Sequence, residues 1–313
     1  MERLKLSQMQ LVKEEAEIPG NFTSVTGEYD IPSIGKTGFF KLNGCMASAN
    51  NDEDLRELLA AKLMDRIGFL HSDIILAMDE NGEKGCLSVN ILEENEEFVK
   101  PSDEEILYRP VNNIEEFINW DLEQVSLIPG ISSEDLRTRK EFLLEYLLMS
   151  AVISNTDIKM DNIMMIKNNS TGAFRNPEYY DMGTAFIEDD NTRFFLRYSS
   201  NQLIEQLYEA YPSQIVPFGR KIEERLDENF IESLLQEEAF DGFLQGDKKI
   251  IKDQLLARLH CIKELNARRE NNFMLSTNEI HEVSKEMPLT LRDRVEVFMG
   301  NIKNKFLGRD RSE

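Results

Sequence analysis

The chain opens its interpretable pattern between Phe22 and Leu42, where "FTSVTGEYDIPSIGKTGFFKL" sets β-branched and aromatic residues among polar ones and glycines. This predicts short strands joined by tight turns, a hairpin or twisted ribbon. The period then changes. In "NNDEDLRELLAAKLMDRIGF" the apolar residues Leu55, Leu58, Leu59, Leu63 and Ile67 recur at helical spacing, an Asp stands at the N-cap and Gly68 supplies the stop, so an amphipathic helix is predicted. "SDIILAM" and "GCLSVNIL" flank the turn "DENGEKG" and read as a second hairpin. The acidic run "EENEEFVKPSDEE" has no apolar period; it reads as a solvated stretch and marks a boundary near residues 93 to 105. Helices are predicted at about 113–121 and 132–153, followed by the strands "NIMMIK" and "EYYDMG" on either side of the turn-rich "NNSTGAFRNP". The remainder, about 200–305, reads as helices, and no internal repeat or low-complexity tract appears.

These elements predict an α+β protein of two lobes: a small β-rich lobe over residues 1–100 and a larger, mainly α-helical lobe over residues 101–313 that carries one hairpin. A cleft between two such lobes is a favoured place for a nucleotide.

Composition supports independent folding. The 313 residues are 41% hydrophobic and 9% aromatic, enough for a sizeable core. Cys45, Cys86 and Cys261 are scattered and odd in number, which suggests neither a disulfide framework nor a zinc site. His71, His260 and His281 have no second ligand at metal spacing. No run of 18 apolar residues occurs and the N-terminal "MERLKLSQMQLVKEEAE" lacks a signal-peptide core, so a cytoplasmic protein without a transmembrane segment is expected, with export as an effector left open. A net charge of -22 repels nucleic acid and favours a basic protein as substrate or partner. Any ATP site in such a chain must concentrate its positive charge locally.

The "GKT" at Gly35–Thr37 invites a P-loop reading, and fails it. The motif G-x-x-x-x-G-K-[ST] needs glycine where Asp30 stands, and it must open a helix, whereas "GFFKLNG" continues as a strand. Lys36 is read as a turn residue. Protein kinases hold phosphate differently, with a loop over the nucleotide, a lysine on the following strand and a helix glutamate that orients it. Lys41 fits the strand lysine, Glu57 the helix partner at the polar edge of its stripe, and Gly35 and Gly38 the covering loop. In "SNTDIKMDNIMMI", Asp157 and Asn162 have the D-x-x-x-x-N spacing of a kinase catalytic loop, where the aspartate takes the acceptor proton and the asparagine binds magnesium. Asp181 and Gly183 in "YYDMG" match the D-x-G that brings a second metal-binding carboxylate, and Lys159 adds positive charge beside the base. Oxygen ligands from Asn162 and Asp181 suit Mg²⁺.

The string "SNTDIKMDNIMMI" with "YYDMGTAF" resembles the HipA-like serine/threonine kinases, including the bacterial CtkA-type members, whose loops have the form N-x-D-x-H-x-x-N and end in a D-x-G-type metal motif. "ELLAAKLMDRIGFLHSDIIL" is similar to their N-lobe helix and strand. The resemblance implies a two-lobed protein-kinase-like fold, an ATP- and Mg²⁺-dependent transfer to serine or threonine, Lys41 on the ATP phosphates paired with Glu57, Asp157 as base, and Asn162 and Asp181 on magnesium. It also implies an antitoxin-like or host protein partner, and autophosphorylation at a loop hydroxyl among Ser24, Thr26, Ser33 and Thr37, each of which reads equally as an ordinary turn hydroxyl. Lys159 departs from the family histidine, and the glycine-rich loop, sought within "TSVTGEYDIPSIGKTG", is irregular. Adenine is expected against the connection "VNILEEN". Two other readings keep parts of this set: a lipid or small-molecule kinase, and a nucleotide-binding pseudokinase or interaction module.

Overall fold

The structure is a computed structural model that describes residues 3–14, 25–44, 52–99, 113–155, 157–158, 160–186 and 198–285. The first part builds a six-stranded sheet from β1 (Leu4–Lys5), β2 (Leu11–Glu14), β3 (Val25–Ile31), β4 (Lys36–Leu42), β5 (Ile74–Met78) and β6 (Lys84–Val89), in spatial order β1-β5-β6-β4-β3-β2. The two hairpins are the alternating stretches of the sequence, β3 with β4 and β5 with β6, and they join through antiparallel β4 and β6. Leu6, Ile31, Phe40, Ala77, Leu87 and Val89 form the core on one side of the sheet. β1 and β2 were not foreseen, because β1 has two residues and all four residues of β2 are exposed, so no apolar alternation announces them.

β4 and β6 approach closely where Gly85 lies opposite Leu42, and a Cβ on Gly85 would stand 2.1 Å from the Lys41 carbonyl oxygen. Backbone cannot yield there as a side chain can. Gly85→Ala is expected to destabilise the fold by about 1–3 kcal/mol or more, read as a lower urea midpoint.

Helix α1 (Glu53–Ile67) ends where Gly68 turns left-handed at φ 82° and its N–H returns to the Met64 and Asp65 carbonyls. Asp52 does not cap it; its carboxylate accepts instead from Arg56 Nε and Nη2 at 2.7 and 3.1 Å. Nor is α1 a surface helix with one apolar stripe. Twelve of its fifteen residues are buried, since it lies between the sheet and the helices of the second half. Its Leu58, Leu59, Leu63, Met64 and Ile67 share one hydrophobic cluster with those helices. Its polar residues are buried in pairs: Asp54 with Arg3 and Asn43, and Glu57 with Lys41.

The second part holds β7 (Glu96–Val99), α2 (Ile114–Ser126), α3 (Ser133–Ile153), β8 (Met165–Asn168), β9 (Phe174–Arg175), α4 (Ser200–Ala210), α5 (Pro212–Arg225), α6 (Glu228–Leu235) and α7 (Gln245–Lys285). Two strand expectations change. "EEFV" inside the acidic run is β7 and pairs with β8, because Phe98 packs against Tyr180 and Val99 joins Val125, Ile128 and Met165. "EYYDMG" is not the partner of β8; Phe174–Arg175 within the supposed turn takes that place, and Tyr179 makes only an isolated bridge to His71. Residues 286–305 and Cys45 lie outside the described residues. α3 starts with a capping box, Ser132 with Asp135, and is fixed to α2 by a fully buried ion pair, Arg139 to Asp121 at 2.7 and 2.6 Å.

Arg175 ties β9 to β7 by donating to both Glu96 oxygens at 2.9 and 2.6 Å, and it also donates to the Ile91 carbonyl at 2.7 Å. The hydrogen bond from Arg175 holds the Glu96 carboxyl below its ordinary value. A depressed carboxylate stabilises the folded state above its unfolded pKa and loses that contribution as pH falls through the folded value. The stability difference between the native chain and Glu96→Gln is therefore expected at pH 7 and should shrink below about pH 4, which urea titrations at both pH values would show.

Candidate active site

Lys41 leaves β4 toward α1, two residues beyond Phe39, and its ammonium donates to Glu57 Oε1 and Asp181 Oδ1, both at 2.9 Å. The three side chains are 12%, 4% and 20% exposed, so one cation joins the sheet, the helix and the loop after β9 inside the protein. Burial alone would push the Lys41 pKa down, yet Asp181 and Glu57 together hold it above its ordinary value and keep it charged. Cys86, opposite Lys41 in β6, brings its thiol to 3.7 Å from Glu57 Oε2, and burial pushes that thiol well up. Asp181 has the left-handed φ of 60°, which an aspartate tolerates. Gly183 lets the loop pass α1: a Cβ there would stand 3.2 Å from Glu57 Oε1. The expectation that Glu57 lies on a polar edge is thus corrected to full burial at 3% exposure.

The left-handed Ser154 at φ 48° ends α3 and turns the chain into the loop holding Asp157 and Asn162, which are 3% and 1% exposed. Asn162 Nδ2 donates to the Asp157 carbonyl at 2.9 Å and to its Oδ2 at 3.2 Å. That fixes the amide orientation and leaves Asn162 Oδ1 buried without a hydrogen-bond partner among the described residues. A buried acceptor in that state calls for a cation or a water. Two supporting residues escaped the sequence reading. Asn155 Oδ1 accepts from the Asp157 amide at 3.1 Å and from the Thr184 hydroxyl at 2.6 Å, and the Asp157 amide also reaches Thr184 Oγ1 at 3.2 Å. They stitch the loop after α3 to the loop of Asp181. The available signal was the N-x-D spacing of Asn155 and Asp157.

Beside Lys41 and Asp181 lies an open cleft. Val25 and Phe39 wall it from the sheet, Phe98 and Tyr180 from the other side, and Val89, Asn90 and Ile91 close its end, with Lys41 and Asp181 at its polar mouth. In the connection after β6, the Val89 carbonyl accepts from Ser72 Oγ, the Ile91 carbonyl from Arg175, and the Asn90 amide donates to the Thr37 carbonyl. The Ile91 amide has no partner among the described residues.

Not every expected residue joins the site. Val25 pairs with Lys41, so the turn at residues 32–35 is at the opposite end of the hairpin. Gly35 lies there, roughly 20 Å from Lys41 at about 3.3 Å per residue. Gly38 is inside β4, where a Cβ would meet Ile31 Cδ1 at 2.8 Å; its role is packing. Lys36 reaches Glu93 at 3.0 Å, and the Thr37 hydroxyl donates to Glu28. Ser33 is exposed on the turn and Thr26 lies in β3, while Ser24 and Lys159 fall outside the described residues. The chain end that does adjoin Lys41 is Val25, which follows residues 15–24, also outside them.

The crystal structure of the Helicobacter pylori proinflammatory kinase CtkA superposes on this chain with a TM-score of 0.63, covering 85% of this chain and 97% of CtkA at 12% identity. The chain has the CtkA-type kinase fold. The α+β kinase-like architecture read from the sequence is correct. HipA of Shewanella oneidensis MR-1, in a complex with HipB and its operator DNA, matches with a TM-score of 0.42 at 11% identity over 74% of this chain and 60% of that one. No family model and no curated protein matches the sequence. Among the described residues no helix is long and apolar enough to cross a membrane, and no three His, Cys, Asp or Glu side chains gather to hold a metal.

Proposed function

We propose that this protein is an ATP- and Mg²⁺-dependent kinase that phosphorylates serine or threonine of a protein, with the β-rich lobe closing at the connection after β6 and β7 belonging to the helical lobe. The observation that carries the reading is the Lys41 ammonium held between Glu57 and Asp181, together with a buried Asn162 oxygen that lacks a partner among the described residues. Those groups fit Mg-ATP. The walls of the cleft are apolar enough for a purine, and the Ile91 amide is a donor left for a ring nitrogen among the described residues.

ATP with Mg²⁺ supplies the phosphoryl group and the divalent charge that neutralises it. Lys41 binds phosphate oxygens and Glu57 keeps that ammonium aimed. Asn162 Oδ1 and the Asp181 carboxylate would hold the metal, which would neutralise phosphate charge. Asp157 orients the acceptor hydroxyl and takes its proton, and Asn155 and Thr184 fix the backbone that carries it. The net charge of -22 selects a basic protein as acceptor over nucleic acid or an anionic membrane.

Thermal melting with Mg-ATP tests the nucleotide half of this reading. At about 100 times the dissociation constant the fold should gain about 2.7 kcal/mol, with no gain from Mg²⁺ alone of that size. An unchanged melting temperature at millimolar Mg-ATP would instead indicate an interaction module that does not use nucleotide.

A further inference from the structure

One side chain of the cleft wall carries a polar group that an apolar wall does not need. Tyr180 immediately precedes Asp181, and its ring lines the cleft at 5.9 Å and 43° from the ring of Phe98 in β7. Its hydroxyl donates to the backbone carbonyl of Asp161, 19 residues earlier, in the short 3₁₀ turn Met160–Ile163. Asp161 in turn immediately precedes Asn162. The bond therefore joins the residue before one of the two proposed metal oxygens to the residue before the other.

A second tie joins the same two loops. The Thr184 hydroxyl donates to Asn155 Oδ1 at 2.6 Å and accepts from the Asp157 amide at 3.2 Å, so Asp181 lies between two cross-links and Asn162 one residue past the first. The direction of each ligand group is set elsewhere: Asn162 Nδ2 is held by Asp157, and Asp181 Oδ1 accepts from Lys41. Those contacts do not fix how far apart the two loops stand. That spacing falls to the bonds that cross between them, and at the Asn162 end the crossing bond is that of Tyr180.

We infer that Tyr180 is a positioning residue, whose hydroxyl holds Asn162 Oδ1 and the Asp181 carboxylate at the separation a Mg²⁺ ion accepts. The inference rests on the nucleotide and metal reading above. Mg²⁺ demands a nearly regular octahedron with bonds of about 2.0–2.1 Å, whereas Ca²⁺ takes a larger and more flexible shell, so a relaxed spacing penalises Mg²⁺ more. Removing a group that orients metal ligands costs about 10–100-fold in metal affinity.

The test is calorimetric titration of ATP into the full chain in EDTA, in excess Mg²⁺ and in excess Ca²⁺. Tyr180→Phe keeps the ring in the wall and deletes the tie alone. Its ATP affinity in EDTA should stay within about twofold of the native chain, while the tightening by Mg²⁺ shrinks by about tenfold and the tightening by Ca²⁺ by less than about threefold. Phe39→Leu, in the opposite wall, should weaken ATP by one common factor in all three buffers. Equal Mg²⁺ tightening in the native chain and Tyr180→Phe, equal losses with the two ions, or a loss of ATP affinity already complete in EDTA overturns the inference and leaves Tyr180 a wall residue. Should Tyr180→Phe not fold, Phe98→Leu decides in its place, because loosening the ring that carries the hydroxyl must move the Mg²⁺ tightening in the same direction. A native chain whose ATP affinity ignores Mg²⁺ contradicts the metal reading itself and takes the inference with it.

Discussion

Asp157→Asn is expected to lower kcat by roughly 10²–10⁴-fold while keeping the Mg-ATP-dependent rise in melting temperature. The substitution preserves shape at a residue that is 3% exposed, and the backbone contacts to Asn155 and Thr184 do not depend on the carboxylate. Asn162 Nδ2 now donates to Oδ2. An asparagine at 157 satisfies that donor with its oxygen and turns its amide nitrogen to the acceptor hydroxyl, where nothing can take a proton. Loss of turnover with binding retained assigns Asp157 to the chemical step. A variant that turns over at the native rate would remove Asp157 from that role, and one that loses both turnover and nucleotide binding would make it a structural residue of the loop.

The second large effect is expected at Lys41. Lys41→Met removes the cation shared by Glu57 and Asp181 and leaves the buried Glu57 carboxylate facing the partly exposed one of Asp181. Breaking a buried pair in this way costs about 3–5 kcal/mol, more than removing both partners would. The loss should show in equilibrium urea unfolding, and calorimetric titration should show Mg-ATP affinity falling at least a hundredfold. The double variant Lys41→Met with Glu57→Gln should recover part of the stability and none of the affinity, because it relieves the uncompensated charge and restores no phosphate ligand. Recovery of affinity in the double variant would contradict the assignment of Lys41 to phosphate.

What the sequence made legible follows from how local each signal is. The two hairpins, α1, α3 and the D-x-x-x-x-N and D-x-G spacings are visible because period, caps and loop chemistry lie within a few residues of each other. β7 was hidden because its support is distant: Phe98 and Val99 find Tyr180 and Met165 across the fold, so "EEFV" looks like part of a charge run. Glu57 was placed at an edge for the same reason, since only the sheet on one side of α1 and the helices on the other bury it. Gly35 and Gly38 were expected over the nucleotide from their nearness to Lys41 in sequence. Strand register carries them toward the connection after β6 and away from the ammonium. Thr184 acts through a hydrogen bond to Asn155, 29 residues away, which no spacing rule reaches.

The most direct test of phosphoryl transfer is label from the γ-phosphate of Mg-ATP, offered to a basic protein, an acidic protein and phosphoinositide vesicles, with phosphoamino-acid analysis of the product. The expected result is label on serine or threonine of the basic protein, falling by at least a hundredfold with Asp157→Asn. Label on no acceptor under conditions where the chain binds Mg-ATP, or label undiminished in Asp157→Asn, would contradict it.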